Sequence, residues 1–393
     1  MAKTLIKWPG GKASEIQQFA PLIPEFDRYI EPFVGGGAVL FYLQPEKAVI
    51  NDISFNLMEL YELVKAQDSE LCRLLQLYHT SFERLKELCE QHFEEILTMY
   101  QIYEWTDREK RDIKKLHLNR ALVEEIARDS QVRTELVLDG TAFEEQILRM
   151  TEDKFRRTVV NGRKQAFTEQ DRKDNLITGF TSGFYMYFRS VLNEIEAGKR
   201  EVSRPYRIAN FYFIREYCYG SMFRYNKKGE FNIPYGGISY NKKKLSTKIS
   251  NLFCPDMARA LKGTRICCMD FENFLAGLEL TDRDFIFLDP PYDTEFSDYE
   301  GNSFDKTDQK RLADLLKQTK AGFLLVIKNT DYIYSLYKDH FRIMSFDNRY
   351  IYNVRSRNDR ISQHLIVTNL PDPMEQMEAE LEYGDGGGAG ALR

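Results

Sequence analysis

The sequence predicts a doubly wound α/β fold with a mostly parallel sheet, interrupted by an inserted, mainly helical domain. Three observations carry that prediction. Short apolar runs closed by turn residues, such as Ala48-Val49-Ile50 and Phe285-Ile286-Phe287-Leu288, read as strands buried on both faces, as parallel strands are. Helical patterns alternate with them, as βαβ crossovers require. Between Phe55 and about Gly179 that alternation gives way to long helical periodicity before the strands resume. The expected organisation is a first part of the sheet domain at 1–58, a helical insert at 59–247, a second part of the sheet domain at 248–371 and a tail at 372–393.

Composition narrows the class. With 43% hydrophobic and 29% charged residues, the 393-residue chain is an ordinary globular sequence, long enough for a sizeable core. No apolar run reaches the length of a membrane span, and Met1-Ala2-Lys3-Thr4 leads straight into fold signals, so we expect a cytoplasmic protein without a secretory signal. Six cysteines form no Cys-x-x-Cys pair and five histidines are scattered, which argues against a zinc site or a disulfide framework. A net charge of −5 makes no global case for nucleic acid, so any such case must be local.

In chain order, Leu5-Ile6 reads as a short strand entering the turn Trp8-Pro9-Gly10-Gly11-Lys12, with a helix over Glu15 to Phe19. Paired glycines let backbone approach a ligand, Trp8 can stack on a heterocycle and Lys12 can answer a carboxylate. It is not a Walker loop, because Ile6 stands where that motif needs its first glycine. The alternative is a plain turn. Next, Tyr29-Ile30-Glu31-Pro32-Phe33-Val34-Gly35-Gly36-Gly37 predicts a strand and a triple-glycine turn opening an apolar helix, which sets backbone N–H groups against a ligand. The strand Ala48-Val49-Ile50 then delivers Asn51-Asp52; an acid there suits ribose hydroxyls, with a helix N-cap as the alternative.

Leucines at 57, 60 and 63, then 71, 74 and 75, mark helix faces in the insert, where the run Asp107 to Asp112 reads as a solvated helix face. From 181 to 245 the balance turns basic, 12 Lys and Arg against 5 Asp and Glu. Tyr217 to Gly236 interleaves aromatics with Arg and Lys, and Lys242-Lys243-Lys244 follow, the cations and stacking rings that nucleic-acid surfaces use. The sheet resumes with Arg265 to Phe271, a strand with Asp270 near its end, then the strand ending in Asp289-Pro290-Pro291-Tyr292, a polar loop over Asp293 to Phe304, a helix from about Asp308 to Thr319, and strands near 323–329, 341–346 and 364–368. The acidic, glycine-rich tail after Pro371 reads as disordered.

Ligands of open α/β sheets bind at the carboxyl ends of the strands, where Asp289-Pro290-Pro291-Tyr292 sits. The Asp289 carboxylate and Pro290 carbonyl are acceptors, the prolines fix the backbone and Tyr292 offers a ring to a base. Two acceptors aimed at an NH2 group draw it toward tetrahedral geometry and free its lone pair for attack. An ordinary Pro-Pro turn is the alternative.

Five stretches therefore stand in order: Trp8 to Lys12, Glu31 to Gly37, Asn51-Asp52, Arg224-Tyr225-Asn226 with Gly229 to Gly236, and Asp289 to Tyr292. Together they resemble the Dam-like DNA adenine-N6 methyltransferases, over about residues 3–60 and 205–370, leaving the long helical insert unaccounted for. The resemblance implies methyl transfer from S-adenosyl-L-methionine to the N6 amine of an adenine flipped out of double-stranded DNA, gripped by Asp289 and Pro290 and stacked by Tyr292. It implies that Trp8, Lys12, Phe33, Asp52 and Asp289 border the cofactor, with the Gly35 to Gly37 turn beneath its methionine part and Asp270 and Phe271 at its adenine. The insert would then carry target recognition, with Arg224 as a base reader, Tyr219 as a wedge, Met222 and Asn226 beside them, and Lys242, Lys243 and Lys244 on phosphates. Members that methylate within GATC usually carry Asn-Gly before the position of Met222, where this chain has Gly220-Ser221. A cognate restriction endonuclease is the second partner such an enzyme can have. A catalytically silent DNA-binding protein and an RNA methyltransferase are the other readings.

Overall fold

The computed structural model describes residues 3–118, 120–291, 298–299, 302–349 and 361–371. The strands are β1 (Arg28–Glu31), β2 (Ala48–Asn51), β3 (Thr264–Cys267), β4 (Asp284–Leu288), β5 (Asp298–Tyr299), β6 (Asn302–Ser303), β7 (Gly322–Lys328), β8 (Arg342–Arg349) and β9 (Ile361–Thr368). Among the described residues, seven of them form one sheet in the order β3-β2-β1-β4-β7-β9-β8, and β5 and β6 pair separately. The pairs β3-β2, β2-β1, β1-β4 and β4-β7 are parallel, and β9 runs against both of its neighbours. The predicted doubly wound, mostly parallel sheet is therefore present. The chain steps outward from β1 through β2 to β3 and returns to β4 on the other side of β1. The topological switch, where such sheets bind ligands, falls between β1 and β4.

Successive strand side chains point to opposite faces. Tyr29, Ile50, Phe285, Phe287, Leu324 and Val326 enter one core, while Ile30, Val49, Ile286, Leu288, Leu325 and Ile327 enter the other. The second core is closed by Phe274, Leu312 and Ile333 from the helices Phe271–Ala276, Lys306–Leu316 and Asp331–Tyr337. The first continues without a break into the insert through Leu57, Leu60 and Val64 to Leu71, Phe82, Phe184 and Phe213. The helix Phe55–Lys65 begins before position 58 and runs past it, and Lys65 Nζ donates to Thr264 O of β3 at 2.7 Å.

The insert is helical because its apolar periodicity is long and its helix starts are capped. Asp68 accepts from Leu71 N, Asp139 from Ala142 N, and Thr168 with Asp171 closes a capping box at the head of the helix Glu169–Glu196. That helix lies close against the helix Gly140–Gly162, since a Cβ at Gly183 would stand 2.5 Å from Ile147 Cα.

Two local expectations are corrected. Leu5-Ile6 is not a strand; both residues are buried, and Leu5 N donates to Gly36 O at 3.1 Å, so the segment forms a floor under the glycine turn. The run from Asp107 to Asp112 is not one helix face, because the helix ends at Arg108 and Lys110 adopts φ 55°. The carboxylate of Asp107 pairs with Arg163, and Arg111 lies 5.0 Å from the Trp105 ring centre. The tail from 372 onward lies outside the described residues.

Candidate active site

β1 ends in Glu31, and the turn that follows carries Gly35 at φ 47° and Gly37 at φ 75°. A Cβ at Gly37 would meet the Tyr61 hydroxyl at 2.5 Å, and one at Gly35 would meet Trp8 Cδ1 at 2.8 Å, so both the backbone angle and the space demand glycine. Tyr61 donates to Gly35 O at 3.0 Å. Asp52, at the end of β2, accepts from Gly35 N at 3.1 Å and from Ser54 N at 3.0 Å. The N-cap of the next helix is Ser54, so Asp52 is not the cap that the alternative reading offered. Burial pushes the Asp52 carboxyl up to about 6 against these two N–H bonds. Asn51 ties three strand ends together, donating to Pro32 O at 3.1 Å and Met269 O at 2.9 Å and accepting from Met269 N at 3.0 Å.

Across the switch, β4 delivers Asp289. Lys12 Nζ lies 2.6 Å from Asp289 Oδ1 and donates to Gly10 O at 3.0 Å, with Lys12 only 2% exposed. Nearby, buried His364 Nδ1 lies 3.1 Å from buried Glu15 Oε2. Burial pushes the Asp289 carboxyl above the ordinary range, with Lys12 opposing and Glu15 reinforcing the rise. Fully buried Gln309 donates to Pro291 O at 3.0 Å and fixes the turn. Pro290 is buried within it. Tyr292 lies outside the described residues, as does most of the 293–304 loop, of which β5, β6 and Phe304 are described.

On the far side of β1, the rings of Phe33, Phe271 and Phe304 pack at 5.5 to 5.7 Å. Asp270 caps the helix Phe271–Ala276 through Glu272 N and takes Arg311 Nη2 at 2.8 Å, while the Arg311 guanidinium lies 4.8 Å from the Phe271 ring centre. Ile53 and Met269, at the ends of β2 and β3, are 43% and 41% exposed, an apolar ledge beside Asp52.

The basic aromatic segment follows the helix Arg204–Tyr217. A short turn over Tyr219–Ser221 leads to a loop closed by the bridge between Tyr225 and Phe231. Tyr219 is 47% exposed; Arg224 is exposed, with Nε donating to Asn232 Oδ1 at 3.2 Å. Met222 is half-buried beneath them. Asn226 turns its carboxamide inward on the loop, accepting from Lys228 N and Glu230 N and donating to Glu230 Oε2. The lysine cluster divides. Lys242 and Lys244 are exposed, whereas the Lys243 ammonium sits 4.2 Å from the Tyr240 ring centre, donates to Glu216 O and has its pKa lowered by burial. The structure thus brings Lys12, Asp289, the glycine turn, Asp52, Phe33, Asp270 and Phe271 to one sheet edge. Sequence reasoning missed Glu15, Gln309, Arg311 and His364, which carry no motif of their own.

A doubly wound sheet with a glycine turn after β1, an acid after β2 and an Asp-Pro-Pro turn after β4 defines a methyltransferase-type Rossmann-like fold. Residues 8–177 and 131–351 match the family model described as D12 class N6 adenine-specific DNA methyltransferase, and the chain belongs to that family of DNA-modifying enzymes. It is 26% identical over 386 residues to the type II methyltransferase M.MjaIII of Methanocaldococcus jannaschii, covering 93% of this chain and 98% of that one. It is 23% identical to the type II methyltransferase M.CviBI of Paramecium bursaria Chlorella virus NC1A, covering 93% and 99%. A DNA adenine methylase of Vibrio cholerae is 22% identical over 84% of this chain and 82% of its own. The first two matches run through the helical insert that the motifs left unaccounted for. Among the described residues no helix is long and apolar enough to cross a membrane.

Proposed function

We propose that this enzyme transfers a methyl group from S-adenosylmethionine to the N6 amine of an adenine flipped out of duplex DNA. The observation that carries the reading is the Lys12–Asp289 pair at the carboxyl end of β4, across the topological switch from the Gly35–Gly37 turn and Asp52. An acceptor for the amine and a cradle for the donor stand on the two sides of the topological switch. The residues present fit the cofactor: the glycine turn for its amino-acid part, Asp52 for ribose hydroxyls, and Ile53, Met269 and the Phe33–Phe271 pair for its heterocycle. When bound, the cofactor supplies an electrophilic sulfonium methyl.

This chain's residues then align and polarise. Asp289 and the Pro290 carbonyl accept from the amine, and Tyr292 provides the stacking ring at the flipped base. Lys12 holds Asp289 in the ionised form that can accept. With the cofactor held there, the N6 lone pair freed by these two acceptors would be the nucleophile toward the methyl group it supplies, displacing the thioether, and the surplus proton would leave the nitrogen for solvent. Placing both reactants in line is the main source of acceleration. Double-stranded DNA binds along the segment with Tyr219, Arg224, Lys242 and Lys244. The type II names of the relatives support a restriction–modification setting, with a cognate endonuclease reading the same site.

The test is Asp289→Ala with methyl transfer from labelled cofactor and DNA binding measured together. Loss of one preorganised group of this kind lowers turnover by about 10²-fold or more. DNA affinity should persist, and near-normal turnover would place the chemistry elsewhere.

A further inference from the structure

Just after Lys12 stands a second buried ionisable group that the methyl-transfer scheme does not use. Glu15 is 2% exposed, and its N–H donates to Lys12 O at 2.8 Å, so its carboxylate is tied to the turn that carries Lys12. Its partner comes from the far end of the chain. Leu365 and Val367 of β9 enter one core and Ile366 the other, so alternation sets His364 on the Ile366 face, in the core that also takes Ile16 and Phe19 from the helical turn after Glu15. There the fully buried His364 places Nδ1 3.1 Å from Glu15 Oε2. Facing a carboxylate oxygen, that nitrogen is the donor. The ionisable groups around the pair are Lys12 from the N-terminal turn, Glu31 at the end of β1, Asp289 after β4, and Lys328, which stands opposite His364 in the register of β7 and β9. Burial is the largest influence on the Asp289 carboxyl and Lys12 the next; Glu15 then drives it up and His364 draws it down. A buried charge pair adds little net stability, because desolvation consumes its attraction. Ionisable groups that perturb one another cluster instead where chemistry is done.

We propose that Glu15 and His364 are positioning residues for the amine acceptor: by holding the Glu15 carboxylate, His364 keeps the Lys12 ammonium on Asp289. The inference rests on the function proposed above, because it needs Asp289 as the acceptor. Its physical basis is competition. A lysine ammonium carries three donors and no acceptor, so a Glu15 carboxylate that nothing else holds, on the same turn as Lys12, becomes a rival acceptor for it. A second unpaired carboxylate beside Asp289 also makes Asp289 harder to ionise, as like charges sharing a site do. With His364 on Glu15 Oε2 both effects are suppressed, and Lys12 Nζ rests 2.6 Å from Asp289 Oδ1. Asp289 meets the amine, whereas Glu15 and His364 act only through Lys12 and through their charge.

The test is a double-mutant cycle on the full-length protein, read by methyl transfer from labelled S-adenosylmethionine to a duplex carrying the site found by sequencing modified adenine after expression in an unmethylated host. His364→Leu leaves the Glu15 carboxylate unheld. It should move the acid limb of kcat upward by about one pH unit or more and lower kcat about tenfold at a pH below that limb. KM for cofactor and for DNA should stay within about threefold of wild type, since the pair touches neither. Adding Glu15→Gln removes the competing charge and should return kcat to within about threefold of wild type, with the acid limb at its wild-type position or lower. A purely structural pair gives the opposite result, because the double variant removes more of the native contact and recovers no rate. Glu15→Gln alone relieves Asp289 of a like charge and should lower the acid limb, so it decides the matter where His364→Leu does not fold. An unmoved limb in Glu15→Gln, or no recovery in the double variant, overturns the inference. Asp289→Ala, measured alongside, separates the two readings. Near-normal turnover there removes the proposed function and this inference with it, whereas an inactive Asp289→Ala together with an unmoved limb in Glu15→Gln leaves the function standing and removes only the positioning pair.

Discussion

Replacing Lys12 by methionine keeps the length of the side chain, removes its charge and leaves the Asp289 carboxylate in a buried site. At 2.6 Å, two unit charges attract by about 6 kcal/mol with an effective dielectric constant of about 20. Desolvation offsets part of that, and removing one partner of a buried pair costs about 3 to 5 kcal/mol net, because the other charge is left uncompensated. Unfolding entropy is about 2.1 cal/mol/K per residue near 60 °C, hence about 0.8 kcal/mol/K for this chain length, so the expected fall in melting temperature is about 4 to 6 °C. Activity should fall further than stability. Burial already raises the Asp289 carboxyl and Lys12 opposes that rise, so in Lys12→Met the carboxyl protonates at a higher pH and can no longer accept from the amine. Activity needs the ionised form, so the acid limb of the rate profile moves upward in pH, with a loss of about 10² to 10³-fold at neutral pH. Asp289→Asn added to Lys12→Met should restore much of the melting temperature and none of the rate, since the unpaired charge is gone but so is the carboxylate. Calorimetry and a labelled-methyl assay from pH 5 to 9 make the measurement. A single variant with wild-type melting temperature and an unmoved acid limb would refute the role given to this pair.

Asp52, pushed by burial from 3.8 to about 6, should make S-adenosylmethionine binding weaken as pH falls through about 6, and Asp52→Asn should bind weakly with a flat profile in isothermal titration. Its folded pKa is raised, so its contribution to stability is fullest below the unfolded value and is lost as pH rises through about 6; Asp52→Asn should remove that slope from the melting temperature. For DNA, Arg224→Ala should relax preference at one base position by about 1 to 3 kcal/mol, read from methylation of a randomised site library. A uniform loss over all sites would assign Arg224 to a phosphate instead. Removing Lys242 and Lys244 together should weaken all sequences alike and flatten the salt dependence, whereas Lys243→Ala should lower the melting temperature more than DNA affinity, because its ammonium is held by Tyr240 and Glu216.

What the sequence reveals well is whatever a strand end makes local. An apolar run followed by proline, glycine or an acid announces both the strand and the functional loop beyond it, which is why Glu31 to Gly37, Asn51-Asp52 and Asp289-Pro290-Pro291 were legible at the edge where the sheet binds ligands. Leu5-Ile6 misled for the same reason: two apolar residues before a proline and glycine turn match a strand entry, but they are too few to show a period, and burial under the glycine turn explains them equally well.

Partnership is what the sequence conceals. Lys12 and Asp289 are 277 positions apart and Glu15 and His364 are 349 apart, so no spacing rule joins them; the topology does, by setting the N-terminal segment against β4 and β9. Composition likewise assigns a basic aromatic stretch to DNA without saying which side chains face it. Asn226 carries the right chemistry for a base edge, but the turn it occupies needs a carboxamide to cap its own backbone, and that local demand takes the side chain. Lys243 differs from its two neighbours only in direction, and direction is fixed by Tyr217, Tyr240 and Glu216 across the fold. Arg215 is the extreme case. In sequence it is one more basic residue on a helix, and only the folded chain brings its guanidinium against both Trp8, beside the glycine turn, and Phe223, in the loop after that helix. A residue whose partners are set by the tertiary fold has no local signature to read.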